Sequence, residues 1–203
     1  MPAFGPAGGR FEPEIRCDKP AAQNEPDGCV MPDAAAVLVL NSAAGDVVES
    51  AIHIRESQTV IQPGMTDFAP GKYSPLLGTR AVAEFRTDLP YSPLQYTRSE
   101  RSRTLNYRAS CADNQTSLVN TRPYSGSPTC PTYKIPRRCQ CDEFPYKSTT
   151  NGAATNPGTT SVRIISAEHN EEAGRQYGKF LVDQRVLPQG TTANYDPFWV
   201  YVK

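Results

Sequence analysis

The sequence predicts an α+β protein: a small mixed sheet with a few helices, rich in loops and stapled by disulfides. Two observations lead there. Residues 161–202 carry in succession an alternating strand pattern, an apolar stripe of helical period and a run of β-formers. The chain also holds six cysteines, 19 prolines and ten tyrosines, the composition of a loop-rich, oxidised protein. At 203 residues it is long enough to bury a real core.

Residues 1–16 are rich in glycine and proline and read as a flexible tail. Residues 17–110 read as an N-terminal portion packed on a core formed by 111–203. Within it, Cys17 to Cys29 encloses a polar loop, and the apolar run Ala35–Leu40 reads as a buried strand. Asp46 is placed to cap a helix running to about Gln58, with Val47, Ala51 and Ile54 inward. His53 falls in that helix and is assigned a packing or surface role. Prolines and glycines punctuate residues 62–96, with Arg80–Phe85 as a candidate strand. The basic run Arg98–Arg103 has little apolar content and reads as a solvated connection. Between Cys111 and Cys130 the chain is polar, and Asn114-Gln115-Thr116 is a glycosylation sequon of the kind found in surface loops.

Residues 150–160 read as a loop, and Ser161–Ser166 alternates like a half-buried strand. Asn170 reads as the N-cap of the helix that follows, with Glu171 and Glu172 at its positive end. Ala173, Tyr177, Phe180 and Leu181 then form one apolar stripe, and the helix should end near Gln184–Arg185. Asp196–Val202 closes the chain as a strand.

Lys plus Arg is 21 and Asp plus Glu is 21, so no net field draws the chain to nucleic acid or membrane. The charge is nevertheless uneven: residues 1–60 are acidic and residues 97–147 are basic. No stretch approaches the roughly 20 apolar residues of a membrane helix. The start lacks the charged and apolar regions of a signal peptide, while the cysteines argue for export; together these suggest a mature or excised portion. With two histidines and no zinc-type cysteine spacing, an imidazole-built zinc site is not expected. Cys17 is expected to pair with Cys29, and Cys139 and Cys141 each with either Cys111 or Cys130. A direct Cys139–Cys141 bridge would be strained.

The stretch that organises the chain is Cys139–Thr149, where Asp142 and Glu143 sit between a cysteine pair and Phe144-Pro145-Tyr146. In a strand the two carboxylates point to opposite faces, whereas in a turn they could converge on one cation. Cys141-Asp142-Glu143-Phe144-Pro145-Tyr146-Lys147-Ser148-Thr149 resembles the CDEYPFAST stretch of the NucA/NucB deoxyribonuclease family. His169-Asn170-Glu171-Glu172-Ala173-Gly174 is similar to the acidic-Asn-x-x-x-Gly segment that opens that family's helix, with His169 at the acidic position. Phe180, Arg185 and Asp196-Pro197-Phe198-Trp199-Val200 resemble its closing pattern. The close resemblance covers about 139–203.

The resemblance implies a secreted or toxin-like enzyme that cleaves DNA with a metal on a small ββα-like nuclease core. It carries catalytic roles to Asp142, Glu143 and Asn170. Phosphodiester hydrolysis needs an activated water and a cation to take up developing charge. A hard divalent ion, Mg²⁺ or Mn²⁺, prefers carboxylate and amide oxygens, available from Glu143, Asn170 and Glu172. Asp142 or His169 is positioned to take the water's proton. Arg137, Arg138, Lys147 and Arg175 are the candidate phosphate-binding cations. The expected partner is DNA, the expected state a monomer free of membrane, and a toxin role would add an inhibitor or immunity protein. Two other readings remain: a disulfide-stapled extracellular binding module, in which the acidic pair holds a structural Ca²⁺ or nothing, and a degenerate nuclease that still binds DNA.

Overall fold

The computed structural model describes residues 15–18, 28–31, 36–43, 45–59, 93–111, 130, 138–188 and 196–203. The candidate strand Arg80–Phe85, the sequon at Asn114 and the cation Arg137 lie outside them. The chain divides into two units, Met1–Ala34 and Ala35–Lys203. The first holds the strands β1 (Arg16–Asp18) and β2 (Gly28–Val30), antiparallel, with Cys17 opposite Cys29 and bridged to it.

The second unit is α+β. Strand β3 (Ala36–Leu40) pairs in parallel with β7 (Pro197–Val202), whose other edge takes the short antiparallel β4 (Leu94–Gln95). As the central strand, β7 is covered on both faces, and Phe198, Trp199 and Val200 are all buried in succession. A second sheet is the antiparallel pair β5 (Cys139–Phe144) and β6 (Ser161–Ser166). Helix α1 (Val48–Thr59) precedes β4, α2 (Glu100–Ser110) follows it, and α3 (Ala167–Asp183) follows β6 without a break. Helices α1 and α3 pack on each other and on β5 and β6.

The apolar stripe of α3 behaves as its period requires. Ala173, Tyr177 and Phe180 are buried against Phe198, Leu40 and Ile54 of one core, with Leu181 packed at its margin. Phe180→Ala is therefore expected to cost about 3–5 kcal/mol by opening a cavity. Lys179, exposed and paired with Asp183, should change stability by less than about 0.5 kcal/mol on truncation to Ala. Urea unfolding of the two variants checks the phase of the helix.

Three expectations need correction. Asn170 does not cap α3: the N-cap is Ser166, and Asn170 lies inside the helix. The earlier start is held from outside the segment, by the Ala167 N–H donating to Arg138 O (2.8 Å) and the Ser166 N–H donating to the buried Glu49 carboxylate (2.7 Å). Asp46 likewise precedes α1, whose first helical hydrogen bond runs from Ala51 N–H to Val47 O. The basic run after Arg98 is no loose connection: Ser99 caps α2, accepting from Ser102 N–H.

At the other end of α3, Arg185 adopts φ 50°. Its N–H reaches Val182 O while Val186 N–H reaches Leu181 O, the two-bond closure that usually employs glycine. Val186 is thereby delivered into the core.

Candidate active site

Along β5 the side chains alternate, and the alternation divides the acidic pair. Cys139 and Cys141 form bridges to Cys130 and Cys111 respectively, one of the two expected arrangements. Glu143 lies on that same face, its Oε2 3.2 Å from the Cys111 sulfur. That sulfur is oxidised and carries no hydrogen, so the contact is no hydrogen bond. The other face carries Gln140, Asp142 and Phe144 toward α1 and α3.

Asp142 is buried and held by α1. Its Oδ2 accepts from the Ser50 hydroxyl (3.1 Å) and meets His53 Nδ1 at 2.7 Å. His53 Nε2 lies 2.9 Å from Ser161 Oγ, and the ring is fully buried. A carboxylate requires a donor, so Nδ1 carries a proton, and Nε2 pairs with the Ser161 hydroxyl. One carboxylate oxygen is thus committed, whereas Oδ1 has no hydrogen-bond partner among the described residues. His53 is the site residue that sequence reasoning missed. Its partner lies 89 residues further on, and nothing local distinguishes it from a core histidine.

Glu143 has much less support. Its Oε1 takes one long hydrogen bond from Lys147 N–H (3.3 Å). Burial, together with the neighbouring Asp142 charge, pushes its pKa up from 4.5 to about 8. Both carboxylates, with Asn170 and Lys147, line a single cleft of about 500 Å³. It runs along the edge of β5 not taken by β6, and Tyr146, Gly174 and Tyr177 also face it. Asn170 donates to Gln140 Oε1 (2.9 Å) and, at 3.4 Å, to Cys141 O, which leaves its amide oxygen uncommitted. A Cβ built on Gly174 meets nothing within 4 Å, so this glycine keeps the α3 wall clear without being required by packing. The buried Tyr146 hydroxyl has no hydrogen-bond partner among the described residues, and burial beside Tyr177 and Asp142 keeps it un-ionised.

The remaining candidates lie away from the cleft lining. His169 Nδ1 accepts from Glu49 N–H at 3.4 Å and lies 3.9 Å from that residue's carboxylate. Glu172 is occupied by Arg175 and Gln176, Glu171 by Gln140, and Arg138 is exposed.

The loop after β5 is fixed by a residue of α2. The buried Asn106 amide donates to Lys147 O (2.8 Å) and Thr149 O (2.9 Å) and accepts from Ala154 N–H (3.0 Å). Gly152 packs so closely on this amide that an added Cβ would lie 2.4 Å from its nitrogen.

Among the described residues no three His, Cys, Asp or Glu side chains cluster as a metal cage. A divalent ion of the Mg²⁺ type does not need one, because it keeps several waters and uses one or two carboxylates with substrate phosphate. The under-compensated Glu143 carboxylate and the free Asn170 oxygen, on facing elements of one cleft, fit that donor set.

The Glu143 environment has a pH signature. Below about 4.5 both folded and unfolded chains hold the proton, and its contribution to stability is complete. As pH rises toward about 8 the unfolded chain has released a proton that the folded chain retains, so stability falls. With chelator present, the loss should be on the order of a few kcal/mol, reduced by the residue's partial exposure, and Glu143→Gln should remove it. Urea unfolding across that pH range is the measurement.

A model of the deoxyribonuclease NucA/NucB family matches residues 91–194, just over half of the chain. The chain therefore belongs to this family. The match takes in α2, β5, β6 and α3, beginning upstream of the segment that carries the sequence resemblance and ending before β7. His53 and Ser50 lie outside it. Among curated proteins and solved structures, none matches the chain.

Proposed function

We propose that the chain is a secreted, divalent-metal-dependent endodeoxyribonuclease that hydrolyses DNA phosphodiester bonds without regard to sequence. The observation that carries this reading is the cleft itself. It assembles Asp142 and Glu143 of β5 with Asn170 of α3, and leaves an acceptor oxygen uncommitted on Asp142 and on Asn170.

In this reading Asp142 takes the proton of the attacking water through Oδ1, because Oδ2 is held by His53 and Ser50. Glu143 and Asn170 would hold the cation, Mg²⁺ or Mn²⁺, which when bound supplies charge to offset that developing on the phosphoryl oxygens. Lys147 faces a backbone phosphate, and the un-ionised Tyr146 hydroxyl remains a donor at the same wall. Contacts of this kind address phosphates rather than base edges, which accounts for indifference to sequence.

Three disulfides, with no free cysteine among the described residues, support an oxidising compartment. No helix of the described residues is long and apolar enough to cross a membrane. The test is incubation with supercoiled plasmid in Mg²⁺ or Mn²⁺, with and without EDTA. Nicking and linearisation with either ion, abolished by EDTA, is the expected result. Intact plasmid under every ion would remove the nuclease assignment and favour a binding module.

A further inference from the structure

Several cations outside α2 are paired with acids. On α1, β6 and α3, Arg163 pairs with Glu56, Arg175 with Glu172 and Lys179 with Asp183. Arg101, Arg103 and Arg108 on α2 are exposed and have no acidic partner among the described residues, while the exposed Lys147, on the loop facing them, has the Glu143 carboxylate within electrostatic reach. Arg103 and Tyr107 stand one turn apart, on the side of the helix that meets the cleft. The Tyr107 ring lines the cleft mouth, is 42% exposed, and has the Lys147 ammonium 5.8 Å from its centroid. Arg103 is close enough to act electrostatically on Tyr177, another residue of the lining.

The helix is also firmly attached to the site. Cys111, directly after α2, is bridged to Cys141, next to Asp142, and Asn106 clamps the loop that carries Lys147. Arg103 of α2 and Lys147, rigidly joined to an acidic cleft, offset the repulsion that paired carboxylates exert on a polyanion.

We propose that α2 is the platform on which an unpaired DNA strand enters the cleft. Arg103 and Lys147 hold its phosphates, and the Tyr107 ring stacks on the face of one base. A duplex shows a protein its base edges and keeps the base faces covered, whereas an exposed ring at a cleft mouth matches a base free of its partner. The proposal rests on the deoxyribonuclease reading for the identity of the polyanion.

The experiment measures binding of labelled oligothymidylate, and of a hairpin duplex, by fluorescence anisotropy across a salt series. It uses the Glu143→Gln background with chelator present, so that nothing is cleaved. Arg103→Gln with Lys147→Gln should weaken binding and lower the log–log salt slope for oligothymidylate by about 1.4, two contacts on a single strand. Tyr107→Ala should weaken oligothymidylate about tenfold or more, leave the hairpin nearly unchanged and leave the salt slope intact. Lys179→Gln, on the paired surface of α3, should alter neither. An unchanged salt slope in the Arg103→Gln, Lys147→Gln variant overturns the platform, and equal effects of Tyr107→Ala on both probes overturn the unpaired strand. Plasmid cleavage by the unsubstituted protein and by the same variants, all carrying native Glu143, separates the two readings. Normal cleavage with unaltered binding in the variants removes the platform alone, whereas weakened binding in the variants of a parent that itself cleaves nothing removes the nuclease alone.

Discussion

Glu143→Gln is expected to lower DNA cleavage by about two orders of magnitude or more while the fold persists. The substitution keeps the shape of the side chain and its contact with the Lys147 N–H, and removes the charge that a hard cation requires. The protein loses little structurally, because burial and the nearby Asp142 charge outweigh what supports this carboxylate, one long hydrogen bond and the Lys147 charge. Stability of the variant in chelator should therefore equal or exceed that of the parent near pH 8. Opposite changes in activity and stability distinguish a functional carboxylate from one retained for the fold. Plasmid cleavage and urea unfolding on the same preparations read both.

His53→Ala is expected to damage the fold and the chemistry together. Removing the imidazole leaves the Asp142 carboxylate buried with only Ser50 on Oδ2, and takes the ring nitrogen from the Ser161 hydroxyl. Breaking a buried pair by deleting one partner costs about 3–5 kcal/mol. His53→Asn, which returns a donor near the position of Nδ1, should recover part of the activity even where stability stays low. Recovery by Asn and none by Leu, in cleavage assays on folded protein, would establish that His53 acts by orienting Asp142. Equal activity of the Asn and Leu variants would reduce it to a packing residue.

What the sequence disclosed, and what it concealed, follows the range of the interactions. Ser161–Ser166, the stripe of α3 and Pro197–Val202 are encoded by local periodicity, and the structure has them within a residue or so of expectation. Helix α2 was hidden because its buried residues are Asn106 and Ser110, so its inner face is held by hydrogen bonds and shows no apolar stripe. The start of α3 was misplaced because Glu49 and Arg138, distant in sequence, hold Ser166 and Ala167. Asn is an excellent cap in isolation, but Asn170 instead binds Gln140 and the β5 backbone. The acidic pair was legible as a candidate site from Cys141, Pro145 and its own composition. Its division between two faces follows from Cys139–Phe144 being a strand, one of the two conformations open to the sequence, whereas the His53 support behind Asp142 depends on α1 packing across β5, which no short-range pattern reports.

With Asn170 freed from a capping role, its substitution tests metal binding without the confounding loss of a helix cap. The most direct measurement is calorimetric titration of Mn²⁺ into the wild-type protein and into Glu143→Gln and Asn170→Ala. The account predicts a single saturable binding event in the wild type, no detectable binding in Glu143→Gln and weakened binding in Asn170→Ala. Wild-type Mn²⁺ binding by both variants would place the cation elsewhere and contradict the assignment of this cleft as the catalytic centre.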